Sequence, residues 1–160
     1  MELAPSVCSK HLGGVERIVL YAVDDIQNVA YNSLSQSFSP PQLGEMSSPV
    51  ELHFMEGGAS FEESVESGGR VTHRITCNLA GVVPEAVERL RRVARGGVVA
   101  LLTTVDGGSY LVGYSVEAAT DYPLWLHSAQ VATHAARSSK ATTTLVLESV
   151  DGWPSRAVVG

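Results

Sequence analysis

The stretch RGGVVALLTTVDGGSYLVGYS, residues 95–115, limits the fold more than any other part of the chain. Two apolar runs, VVALLTTV and SYLVGYSV, flank Asp106-Gly107-Gly108, the composition of a tight hairpin turn. Neither run alternates cleanly, so both read as strands covered on both faces. A strand pair of that kind needs one layer above it and another below. The stretch holds no histidine, cysteine or lysine, and Asp106 is its only carboxylate. It reads as architecture.

The rest of the chain supplies strands to build those layers. In VERIVLYA, Ile18, Leu20 and Ala22 alternate with Arg17, Val19 and Tyr21. VELHF puts Val50, Leu52 and Phe54 on one face. The glycine pair Gly68-Gly69 predicts a turn that pairs FEESVE with RVTHRITCNL. In the second strand, Val71, His73, Ile75, Cys77 and Leu79 share one face, and Arg70, Thr72, Arg74, Thr76 and Asn78 the other. Strict alternation of this sort marks a half-buried strand. YPLWLHSAQVAT and TTTLVLESV are two further strands.

VPEAVERLRRVARGG reads as the helix. Pro84 suits its first turn, and Ala86, Val87, Leu90, Val93 and Ala94 form one apolar stripe. Glu85–Arg89 and Glu88–Arg92 have i,i+4 spacing, and Gly96 offers a left-handed stop. The expectation is a single domain over 1–160, mainly β with one α-helix. About seven strands would form a β-sandwich or a partly closed barrel packed by that helix. Residues 27–49, rich in serine and proline, read as a loop or arm, and 151–160 as a C-terminal tail.

Composition narrows the function classes. The apolar fraction of 44% is that of a folded chain, with no run as long as a membrane span. The opening MELAPSVCSK lacks a basic segment followed by an apolar one, so no secretory signal is expected. A net charge of −6 disfavours a protein that grips DNA phosphates. Cys8 and Cys77 have no metal-like spacing and read as free thiols of a reducing compartment.

Catalytic patterns do not emerge. His11, His53, His73, His127 and His134 lack metal-binding spacing and read as strand-surface or half-buried residues. There is no G-x-S-x-G elbow, and the glycine pairs form no phosphate loop. Glu62, Glu63 and Glu66 suggest an acid–base pair only superficially, because neighbouring strand carboxylates point to opposite faces. Arg89, Arg91, Arg92 and Arg95 read first as a solvated helix face, second as a subunit contact, third as a phosphate site. No catalytic residue, cofactor or metal is expected.

The order of features resembles the small phage tail proteins found in phages and prophages of Bacteroidetes. A glycine-flanked strand ends near paired acids, here LGGVERIVLYAVDDI. An acidic strand, a glycine turn and an outgoing strand follow, here SFEESVESGGRVTHRITCNLAG. Then come a short helix with Glu and Arg, the hairpin VVALLTTVDGGSYLVGYS, and SSKATTTLVLESVDG, a serine- and threonine-rich stretch and strand ending in an acid. The resemblance covers most of the chain but not the insert at 27–49. EAATDYPLWLHSAQ is also more apolar than the family pattern.

The resemblance implies a structural virion protein of the tail-tube lineage, assembled in the host cytoplasm. Such subunits stack as hexameric rings around a DNA channel, touching copies of themselves and other tail proteins, with DNA passing unbound and no membrane involved. The hairpin would carry one subunit's sheet into its neighbour's. Tyr31, Leu34, Phe38 and Leu43 of the arm would anchor on the next ring, Arg91 and Arg95 would meet a neighbour, and Glu62, Glu63 and Glu66 would line the channel. A tail terminator or head–tail connector is the nearest alternative. A small β-rich binding or adaptor module, with an aromatic patch at Tyr122, Trp125 and Trp153, is a second. An enzyme with histidines and carboxylates converging from separate strands is a third.

Overall fold

The computed structural model describes residues 9–12, 14–45, 47, 49–54, 57–65, 68–80, 88, 90–92, 94–117, 119–132, 142–152 and 155–159. The chain opens with β1 (Ser9–Leu12) and β2 (Val15–Ala22), followed by the short β3 (Ile26–Asn28), β4 (Tyr31–Asn32), β5 (Ser37–Phe38) and β6 (Gln42–Leu43). Next come β7 (Val50–Leu52), β8 (Ala59–Val65) and β9 (Val71–Ala80). Helical residues, described at 88 and 90–92, precede β10 (Val98–Thr104) and β11 (Ser109–Val112). The long β12 (Trp125–Ala132), β13 (Thr142–Gly152) and the two-residue β14 (Arg156–Ala157) complete the order.

Two five-stranded antiparallel sheets result. Sheet A has the order β1-β8-β9-β13-β12, and sheet B the order β14-β11-β10-β2-β7. The alternation in β9 sets the sandwich. Val71, His73, Ile75, Cys77 and Leu79 are all buried, whereas Arg74 and Asn78 are exposed. Phe61, Ile75, Leu145 and Leu147 of sheet A pack in one core with Ile18, Leu20, Ala100 and Leu102 of sheet B. Leu90 of the helix joins them. The fold is mainly β with a single helix and several sheets, and it is a sandwich; the described strands close no barrel. Burial pushes the Cys77 thiol up to about 12, so Cys77 is a free but unreactive core residue. Cys8 lies outside the described residues.

The strand pair β10–β11 sits inside sheet B. Residues Val98, Ala100 and Leu102 face the sandwich core, and Val99 and Leu111 face a second, smaller core on the far side. That second core corrects two expectations. Residues 27–49 are not a structureless arm. They form the ladders β3–β6 and β4–β5, and their Val29 and Phe38 cover β10 and β11. Pro40 and Pro41 fall between the ladders, where no strand hydrogen bond is lost. Asn32 Oδ1 accepts the Leu34 N–H at 2.9 Å, which tightens the turn between β4 and β5.

Residues 151–160 are likewise no tail. Asp151 and Gly152 continue β13, β14 pairs with β11, and Val158 bridges Phe38. Another element the sequence reading passed over is β1, which pairs with β8 from Ser9↔Ser64 to Leu12↔Phe61.

The hairpin loop runs over residues 105–108, one residue longer than the Asp106-Gly107-Gly108 turn expected. Thr104 N–H donates to Gly108 O at 2.8 Å, and Val105 N–H to Gly14 O at 2.8 Å. Because β10 is flanked by β11 and β2, and β11 by β14, this hairpin cannot itself continue into a neighbouring sheet. The left-handed stop before β10 falls at Gly97 (φ +88), one residue beyond the expected Gly96. A Cβ at Gly97 would lie 2.5 Å from the Pro123 ring, so both backbone and space demand glycine.

Phe38 is only 2% exposed, and its ring meets Tyr31 and Tyr114 at centroid distances of 5.5 and 5.4 Å. Phe38→Ala should cost about 3–5 kcal/mol in urea denaturation, as for other buried aromatics; a near-neutral value would mean the arm does not hold sheet B. Leu90→Ala should cost about 2–5 kcal/mol by the same measurement, because it opens the main core under the helix.

Candidate functional site

The Gly68-Gly69 turn fixes what the two strands beside it place face to face. Both glycines have positive φ, and the register of β8 against β9 sets Glu63 directly opposite His73. Residue 73 is in turn opposite Ser149 of β13. A polar row, Glu63–His73–Ser149, therefore crosses the inner face of sheet A. Glu63 is 5% exposed and His73 2%.

Each member of the row reaches a partner. His73 Nε2 donates to Glu63 Oε1 at 2.9 Å. The same oxygen accepts the Ser155 N–H at 2.7 Å, just before β14. The Ser149 hydroxyl donates to Tyr122 O at 3.0 Å. Two segments attached to sheet B, residues 113–123 and 155–158, are thereby tied to sheet A. Burial would push the Glu63 carboxyl upward. The hydrogen bonds from His73 and Ser155 and the charge of His73 outweigh it and hold the group below its ordinary value of 4.5.

The His73 ring stacks on Phe61 with centroids 6.0 Å apart. Its Nδ1 has no hydrogen-bond partner among the described residues. A small hollow nearby is lined by His73, Gly113, Tyr114, Ser115, Ala119 and Tyr122. A Glu–His dyad can take a proton from a donor at the free ring nitrogen.

The residues singled out from sequence are scattered. Glu62 is exposed on the outer face of sheet A, while Glu63 points inward, so Glu63 is no channel-wall residue. Glu66 lies outside the described residues. Phe38 is buried in its own domain and unable to anchor on another, with Tyr31 and Leu43 half-buried beside it. Only Leu34, 95% exposed, points away from the arm. Arg91 and Arg95 are exposed, and Arg91 bonds Glu88 at 3.2 Å. Tyr122 and Trp125, 43% and 49% exposed, line a shallow hollow with Asp121, His127 and Glu148. Trp153 lies outside the described residues.

The Glu63–His73 pair escaped the sequence reading, although a signal existed. A turn centred on Gly68 sets residues equally spaced before and after it opposite one another, and these two stand five residues either side. No family model, curated protein or solved structure matches the chain.

Glutamine keeps the accepting oxygen but not its charge, so Glu63→Gln should lower stability at neutral pH by about 1–3 kcal/mol. The folded value of Glu63 lies below 4.5, so its contribution is complete above that pH and is lost as pH falls through the folded value. Thermal unfolding from pH 7 down to pH 3 should therefore show a wild-type decline that the variant lacks. Parallel declines would mean that another carboxylate governs acid stability.

Proposed function

We propose that this chain is a structural subunit that assembles with copies of itself, of the tail-tube kind, stacking as hexameric rings around a DNA channel. The observation that carries the reading is the edge of sheet A at β12. Among the described residues, three of the four edges of the two five-stranded sheets are blunted in the usual ways. Strand β1 is four residues long and contains Lys10. The three residues of β7 follow Pro49, and their Glu51 is tied to Arg17. Only two residues make up β14, one of them Arg156.

Strand β12 differs. Its eight residues, WLHSAQVA, contain no charged residue unless His127 is protonated, and no proline. A bulge near His127 interrupts the register at one end, and Ser128 to Ala132 run regularly to the other. Its outer backbone groups have no strand partner among the described residues and, beginning at an exposed tryptophan, suit addition of a strand from another chain. In this reading β12, and not the 98–112 hairpin, is where one subunit's sheet meets the next.

The outer face of sheet A, which no described element covers, suits a channel wall. Glu62, Arg74 and Glu148 stand in register across β8, β9 and β13, and Arg74 Nε donates to Glu148 at 3.0 Å. Beside them, the Thr144 hydroxyl bonds Asn78 at 2.8 Å. An arginine neutralised by a carboxylate, set among short hydroxyl and amide side chains, offers phosphates little to grip.

A second reading, a monomeric binding module, is favoured by the exposed Tyr122 and Trp125 in one hollow with Asp121 and Glu148. Light scattering across concentration with negative-stain microscopy separates the two. Six-fold rings and stacked tubes are expected; single rings that never stack would indicate a terminator or connector. A monomer at every concentration would overturn the assembly reading in favour of the module. Adjacent strand amides face opposite sides, so of Ala129→Pro and Gln130→Pro one removes an N–H from the free edge. That variant should stay folded and fail to assemble.

A further inference from the structure

We propose that the hollow beside Trp125 binds a guanidinium group, the side chain of an arginine on a partner protein. It deepens the binding-module reading, on which it rests, by naming the ligand. Strand register builds the site. Glu62, Arg74, Glu148 and Trp125 are successive cross-strand partners over β8, β9, β13 and β12. Cross-strand partners share a face, so Trp125 ends this row on the outer side of sheet A. Asp121 and Tyr122, just before β12, line the same hollow as Trp125 and Glu148.

The carboxylates there have capacity to spare. Arg74 Nε and Nη2 both donate to Glu148 Oε2, at 3.0 and 2.5 Å, and Oε1 has no partner among the described residues. Asp121 is exposed and has none among them either. Aromatic faces attract a cation, and carboxylate oxygens call for N–H donors. Guanidinium meets both demands, because it can stack flat on a ring while its edge donates. Lysine's ammonium donates but does not stack, and a quaternary ammonium has no N–H to give. An anion would be repelled by Asp121. The hollow is shallow, which suits one side chain better than an enclosed small molecule. A net charge of −6 on the chain draws a basic partner toward it.

The test is ligand-detected saturation transfer from the full chain to N-acetylarginine amide at pH 8, so that His127 does not compete as a cation. The citrulline analogue, nearly the same shape without the charge, is the control. Transfer to the arginine δ-methylene protons is expected, with little to citrulline. Trp125→Ala and Asp121→Asn should each weaken affinity about two- to fivefold, as for exposed cation–π and ion-pair contacts. Both residues are exposed, so neither change opens the core. No transfer, equal transfer to citrulline, or an affinity that neither substitution moves would overturn the proposal. A monomer without transfer would remove this ligand and leave the module reading standing. Stacked tubes that do show it would remove the module reading and keep the guanidinium site.

Discussion

Strand β10 has to be hidden on both sides, and the rest of the structure follows from that. Its residues alternate between two cores, with Val98, Ala100 and Leu102 turned to one and Val99 to the other. Burying a side chain of this size contributes about 1.5–3 kcal/mol, so leaving either face wet would remove much of the stability of a small domain. Sheet A covers the first face. The second is covered by residues 26–43 and 155–158, which is why a polar insert and a terminal segment both fold down onto sheet B. Arg156 locks that cover, with its guanidinium 5.1 Å above the Tyr31 ring and 3.2 Å from Glu117.

The polar row across sheet A is the counterpart of that apolar cover. A buried carboxylate and imidazole cost desolvation, and a hydrophobic pair could pack the same space. What hydrocarbon cannot do is fix the backbone of segments that lack a strand partner of their own. Glu63 holds the Ser155 amide, and Ser149 holds the Tyr122 carbonyl. The row thus sets where two connections cross from one sheet to the other. The same logic explains Gly113 (φ +94): a Cβ there would stand 3.1 Å from Val98 O, in the way of the Val98–Leu124 bridge.

Local periodicity made part of this legible in the sequence. The β8–β9 hairpin, the inward face of β9 and the doubly covered character of β10 follow from spacing alone, because each depends on neighbours within a few residues. The arm did not. Its composition says loop, and only contact with a distant sheet turns Val29 and Phe38 into core. β1 was invisible for a related reason, since four residues, SKHL, carry no period of their own. At the site, the alternation put His73 on the same face of β9 as Val71, Ile75, Cys77 and Leu79, yet it read as strand-surface or half-buried, whereas it is 2% exposed. Glu63 was read with its solvated neighbours, because its fate depends on register, which the sequence states only through the position of a turn.

The bridge between Phe38 and Val158 has a consequence for how the chain comes into being. These residues close one small core, yet almost the whole domain lies between them. During synthesis the amino-terminal half of that core emerges long before the segment that completes it. Loop closure over such a separation is slow, and the half-made surface is open meanwhile. The cover over Val99 and Leu111 would then stay incomplete, and the β11 edge unpaired, until residues 155–158 arrive. The last strand to form is therefore the one that seals the sheet against premature pairing with other chains.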